Sequence, residues 1–169
     1  MRFTSLKLNS LRDLLMEELR DLYNAETQLT EALPKMAEAA GSADLRAAFE
    51  HHLDETEGHV SRLEKIFETL SEKASGETCE AMKGLIKEGE LIIKAEGDSG
   101  VRDAGLIGAA QRVEHYEMAG YGTARSLAQR LGRDDVANLL QMSLNEEGEA
   151  NKKLTTIAES SVNIGASHA

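Results

Sequence analysis

LNEEGEANKKL, residues 144–154, puts Glu146, Glu147 and Glu149 within one turn of a predicted helix, between Leu144 and Leu154. Acids so close repel one another, yet the apolar stripe of that helix runs through them. The stretch has a counterpart. Sliding the chain on itself by 91 residues lays it over LDETEGHVSRL, residues 53–63, without a gap. The same register matches Glu26 with Glu117, Gly41 with Gly132, Asp44 with Asp135, Glu55 with Glu146 and Ile66 with Ile157. Such a repeat predicts that helices one and two recur as helices three and four, related by pseudo-twofold symmetry.

The apolar residues recur at three- and four-residue steps along each of these segments. Helix one starts at an Asn9 or Ser10 cap and carries Leu15, Leu19, Leu22, Leu29, Leu33 and Met36, with Pro34 kinking it and Gly41 ending it. Helix two begins near Asp44 and follows Leu45, Phe49, Leu53, Thr56, Val60, Leu63, Phe67 and Leu70. Residues 80–96 form a shorter amphipathic helix that reads as a crossover element. Helix three uses Leu106, Ala110, Val113, Gly120, Ala124, Leu127 and Leu131. Helix four runs from about Asp135 to Ile157. Residues 1–160 are expected to make one domain, with residues 161–169 a frayed tail.

One Pro, no Trp, and few Phe and Tyr among plentiful Ala, Leu, Glu and Lys favour helix over strand, so the expected class is all-α. The net charge of -11 disfavours nucleic acid and anionic membranes as partners and favours metal cations. The opening MRFTSLKLNSL lacks the apolar core of a signal peptide, no window is long and apolar enough to span a bilayer, and Cys79 has no disulfide partner. A reducing cytoplasm is the expected location.

Four glutamates stand out in the repeat: Glu26 and Glu55 in the first half, Glu117 and Glu146 in the second, each pair separated by 29 residues within its half. A single Glu on a stripe usually buries its stem and leaves its carboxylate in water. Four in symmetric register are harder to explain structurally, because an unpaired buried carboxylate costs several kcal/mol. Two divalent cations would neutralise them. Helical spacing puts His52, Glu55 and His59 on one flank, so Glu55 and His59 could reach one ion. Glu114 stands one turn from Glu117, and Glu149 one turn from Glu146, whereas Glu147 points farther round, toward solvent. His51 and His115 fall on helix surfaces or edges, and Tyr116 and Tyr121 read as core residues near the acids.

YNAETQLTEALPKMAEAA, HLDETEGHVSRLEKIF, AAQRVEHYEMAGYGTA and SLNEEGEANKKLTTIA resemble the YciE/YciF-like bacterial stress proteins of the ferritin-like superfamily, over nearly the whole chain. The resemblance implies a four-helix bundle with a long crossover between helices two and three carrying an extra helix, and commonly a homodimer. It also implies the superfamily's di-metal pattern, a Glu on each of two helices and Glu-x-x-His on each of the other two. Glu26 and either Glu114 or Glu117 match the lone acids, and Glu55 and Glu146 the motif acids. Gly58 and Glu149 stand where the histidines belong, with His59 one place late. The Glu114/Glu117 pair also resembles rubrerythrin-like peroxidases.

The expected metal ligands are therefore Glu26, Glu55, His59, Glu114, Glu117, Glu146 and Glu149. They would hold two ions, iron foremost with manganese or zinc as alternatives, and dioxygen or peroxide as the oxidant. A binder without turnover is the second reading. A third is a metal-free helical dimer whose acids pair with Arg20, Arg62, Arg112 or Lys153, although these point mostly outward.

Overall fold

The computed structural model describes residues 6–169, so the first five residues of the opening segment MRFTSLKLNSL lie outside the described residues. Its helices are α1 (Leu11–Ala39), α2 (Ala43–Thr69), α3 (Glu80–Ile93), α4 (Ser99–Arg130), α5 (Asp134–Ile157) and α6 (Asn163–Ala166), with a π-helical turn at Ala158–Val162 before the last. Helices one to four of the sequence reading are α1, α2, α4 and α5. No strand occurs among the described residues, and none of their helices is long and apolar enough to cross a membrane.

The helix ends follow their local chemistry. Ser10 Oγ accepts from Asp13 N–H, Ser42 Oγ accepts from Leu45 N–H, and Asp98 Oδ1 accepts from the N–H groups of Gly100 and Val101. Each bond satisfies a donor that the first turn leaves free. Past α4 the chain turns at Gly132, whose φ of 69° is open to glycine at little cost. Between α1 and α2 the sharp reversal at Gly41 and Ser42 is held from outside. Asp103 of α4, itself buried, accepts both backbone N–H groups at 2.9 and 2.7 Å.

α1 packs on α2, α2 on α5, α5 on α4 and α4 on α1, which closes a four-helix bundle, and α3 lies across α1 and α4 as the crossover. Helix α1 continues through Pro34 to Ala39. The tail, expected to fray, instead stays helical through Ala166 and buries Val162 in the core. An apolar side chain in stripe register extends the bundle beyond the last strongly patterned residue.

The core is divided. Ala25, Leu29, Leu33, Leu45, Phe49, Leu106, Val113 and Leu154 belong to one apolar cluster. Leu15, Leu22, Leu63, Phe67, Tyr121, Val136 and Leu140 belong to another. On every bundle helix the segment between the two clusters carries buried polar residues: Glu26 on α1, His52, Thr56 and His59 on α2, Glu114 and Glu117 on α4, Ser143 and Glu147 on α5. A polar layer thus lies midway along the bundle with apolar packing above and below.

Candidate metal centre

Steps of three and four along α2 place His52, Thr56 and His59 on its inward line, and Val136, Leu140, Ser143, Glu147, Ala150 and Leu154 do the same on α5. Glu147 is wholly buried, which corrects its assignment to the solvent side. Its neighbour Glu146 sits 100° round the helix and is about one-third exposed, held by Arg62. Glu149 is out of the layer altogether. It is 71% exposed and paired at 2.7 Å with Lys152. Glu55 is likewise at the margin, hydrogen-bonded to His52 Nδ1 at 3.1 Å. Of the seven expected ligands, Glu26, His59, Glu114 and Glu117 meet inside the bundle, and His52 and Glu147 join them. Glu55 and Glu146 reach that group only from the margin, Glu55 through His52 and Glu146 through a 2.8 Å contact with His59 Nε2, and Glu149 lies outside it.

The inward residues form two overlapping groups. His52, Glu114, Glu117 and Glu147 each offer an atom within 4.8 Å of the others, as do Glu26, His59 and Glu147, so Glu147 is common to both. His52 Nε2 lies 3.4 Å from Glu114 and 3.5 Å from Glu147. His59 Nδ1 lies 2.9 Å from Glu147 and 3.2 Å from Glu26. These approaches are close but misaligned. His52 Nε2, His59 Nδ1, one oxygen each of Glu26 and Glu114, and both oxygens of Glu117 and Glu147 have no hydrogen-bond partner. Buried polar atoms are otherwise almost always satisfied, and eight orphans facing one another is the condition that cations would resolve.

Titration behaviour follows from this crowding. Burial pushes the carboxyls of Glu114 and Glu117 well up, and the charge of Glu147 adds to it. Glu147 is raised as well, chiefly by burial. Burial alone would lower His59, but the nearness of Glu147 and Glu26 outweighs it and raises the imidazole to about 11. Tyr121 donates its hydroxyl to Glu26 at 2.5 Å and is held protonated by burial and that carboxylate. Its ring meets His59 edge-on at 5.8 Å. Tyr116, in contrast, turns its hydroxyl toward Asp21 and Cys79, away from the layer.

The margin is built differently. Burial would raise Glu146, but Arg62 overcomes it and holds the carboxyl low. Arg62 Nη1 donates to Glu146 at 2.8 Å and to Ser143 at 2.6 Å. That guanidinium, expected to point outward, is only 15% exposed. Two inward carboxylate positions in the repeat, Glu26 and Glu117, are thus symmetric, but the other pair is not Glu55 with Glu146. In the 91-residue register Glu147 corresponds to Thr56 and His59 to Ala150. α2 therefore carries Thr-x-x-His and α5 carries Glu-x-x-Ala, each keeping the half of Glu-x-x-His that the other lacks.

Bundle and layer together define a ferritin-like protein with a buried histidine–carboxylate site able to hold metal. Residues 10–167 match the family described as a domain of unknown function, DUF892, and the chain belongs to that family. It is 43% identical to protein YciF of Escherichia coli over 159 residues, 94% of this chain and 96% of the relative. The crystal structure of that stress protein superposes with a TM-score of 0.89, covering 92% of this chain and 99% of the other. YcfI of Rhodopseudomonas palustris, described as a candidate structural protein, is 46% identical with a TM-score of 0.88 and the same coverage. A two-domain Anabaena variabilis protein with DJ-1/ThiJ/PfpI-like and ferritin-like domains shares the fold at 15% identity. Its TM-score is 0.61, over 92% of this chain and 38% of that one.

Proposed function

We propose that this chain binds two divalent metal ions in the polar layer, iron in preference to manganese or zinc, as a stress-associated protein with oxidase or peroxidase capability. The observation that carries the reading is the set of unpartnered, buried, mutually facing oxygens and nitrogens of Glu26, His52, His59, Glu114, Glu117 and Glu147. His52, Glu114 and Glu117 would hold one ion, Glu26 and His59 the other, and Glu147 would be shared. Iron bound there would supply one-electron chemistry toward dioxygen or peroxide. The two apolar clusters exclude bulk water from the layer, and Tyr121 fixes the orientation of Glu26.

Metal analysis of protein purified without chelator tests this. Two ions per chain are expected, falling in Glu147→Ala and His59→Ala and unchanged in Glu149→Ala. A protein that takes up neither iron nor manganese at any concentration would refute it. A reading without turnover is favoured by one feature, the excess of carboxylates over imidazoles, since fewer nitrogen ligands leave the metal less committed to redox work. Stopped-flow absorbance after mixing the Fe(II)-loaded protein with peroxide or dioxygen separates the two, a flat trace supporting the binder. The homodimer and the cytoplasmic location belong to the same proposal. Sedimentation equilibrium tests the first and cell fractionation the second.

A further inference from the structure

We infer that metal ions enter the layer through a mouth at Glu55, and that the repeat-related mouth at Glu146 is shut by Arg62; the inference rests on the metal-site reading above. The two mouths are related by the repeat, so each residue of one has a counterpart 91 positions away at the other. What differs is what fills them.

At the Glu55 mouth a narrow crevice runs inward, lined by Ala48, His51, His52, Glu55, Glu114 and Ala150, with the stem of Lys153 along its rim. Its lining includes His52 and Glu114, whose Nε2 and Oε2 are buried and lack partners. Polar atoms form a graded descent along it. His51, with its side chain 59% exposed, lies 3.4 Å from Glu55 Oε1, and Glu55 is 23% exposed. Glu55 Oε2 lies 3.1 Å from His52 Nδ1, and the opposite nitrogen of His52 reaches Glu114. A hydrated cation shedding water needs such a series of oxygen and nitrogen atoms, because no single step then leaves it both dehydrated and unligated.

Residue by residue the Glu146 mouth replaces openings with plugs. Ala48 corresponds to Leu139, Ala150 to the imidazole of His59, and exposed His51 to Met142. Arg62 fills the space and already occupies Glu146 through both nitrogens, at 2.8 and 3.3 Å, with Ser143 as a third anchor. A cation arriving there meets a fixed positive charge. Lys153 is the counterpart of Arg62 at the open mouth, but it is exposed and makes no ion pair with Glu55. Glu55 is held only by the imidazoles of His51 and His52, whereas Glu146 is bound by the guanidinium of Arg62 and, at 2.8 Å, by His59 Nε2.

Anaerobic stopped-flow loading with Co(II) alone, followed by its visible absorbance, tests the inference. Glu55→Gln should reach the wild-type stoichiometry at least tenfold more slowly, and Ala150→Leu, which narrows the crevice without altering charge, should slow loading in the same way. Glu146→Gln, and Glu149→Gln as an exposed control, should change the rate less than twofold. Loading of Glu55→Gln at the wild-type rate would overturn the entry route. So would a lower final stoichiometry, which would make Glu55 a ligand, or a larger slowing in Glu146→Gln. Wild-type protein that holds no Co(II) at equilibrium would refute the metal site itself, a result distinct from either.

Discussion

Replacing Glu147 by Gln distinguishes a metal ligand from a structural ion pair by the sign of its effect on stability. Glu147 is fully buried, neither of its oxygens has a hydrogen-bond partner, and burial together with Glu26 works against its charged form. An unsatisfied buried group of this kind costs on the order of 1–3 kcal/mol. Gln keeps the shape, carries no charge and can donate to the surrounding carboxylates. Glu26, 3.2 Å from His59 Nδ1, remains to pair the imidazolium, so the metal-free variant should be more stable than the metal-free parent. At roughly 2–4 °C per kcal/mol for a chain of this length, its Tm should rise by about 2–12 °C. Loaded protein should behave oppositely. Ligand at a thousand times Kd stabilises by about 4 kcal/mol, and the variant, lacking the shared carboxylate, loses most of that increment. Thermal melts followed by circular dichroism, in chelator and in excess Mn(II), read both signs. If Glu147 served only as the partner of His59 and His52, its loss would leave buried imidazolium unpaired and cost about 3–5 kcal/mol. A Tm lowered by roughly 6–20 °C in chelator would refute the ligand reasoning.

Other expectations follow from the same geometry. His59 is raised from 6.5 to about 11, and Glu114 and Glu117 are raised above 4.5, so the folded metal-free state binds more protons than the unfolded one. The stabilisation from His59 is complete below pH 6.5 and is lost as pH climbs toward 11, so the Tm in chelator should fall between pH 6.5 and 9, with metal-loaded protein less affected. Asp103→Ala removes both acceptors that hold the Gly41–Ser42 reversal and should cost about 2–3 kcal/mol by urea unfolding, with metal stoichiometry unchanged. Gly76→Ala would set a Cβ 2.5 Å from the carbonyl oxygen of Arg20 and 2.9 Å from Asn24 Cβ, and should cost about 1–3 kcal/mol in the same assay. Backbone cannot swing aside as a side-chain tip can, so a neutral result there would contradict the packing.

The architecture was legible because apolar spacing, cap residues and the 91-residue repeat all point to one topology. Ser10, Asp44 and Gly132 fall at or next to the observed helix ends. The site was legible only in part. On α5 the residues 146, 147 and 149 all follow Leu144, and taking Leu144 as central turns the helix by one residue, or 100°, which exchanges Glu146 for Glu147. Leu144 is in fact partly exposed, and the line through Ser143, Glu147 and Ala150 is the buried one. A signal for it was present. Small Ser143 and Ala150 flank Glu147 at helical steps, and small residues beside an acid leave room that a solvated face does not need. Arg62 and Lys153 occupy equivalent positions in the repeat, and no spacing rule predicts that one locks onto a carboxylate while the other does not.

The complementary halves of Glu-x-x-His have a further consequence. Thr56 with His59 on α2, and Glu147 with Ala150 on α5, mean that backbone symmetry is not ligand symmetry. Two copies of the N-terminal hairpin, brought together across a twofold axis, would rebuild the bundle with two His59 side chains and no Glu147. Two copies of the C-terminal hairpin would bring the reverse deficit. Neither hairpin is a spare for the other, so a half-length product could fold and associate yet present no shared carboxylate. Two ions held there, facing unlike ligand sets, would also differ in affinity, which would give the chain a first and a second address for metal.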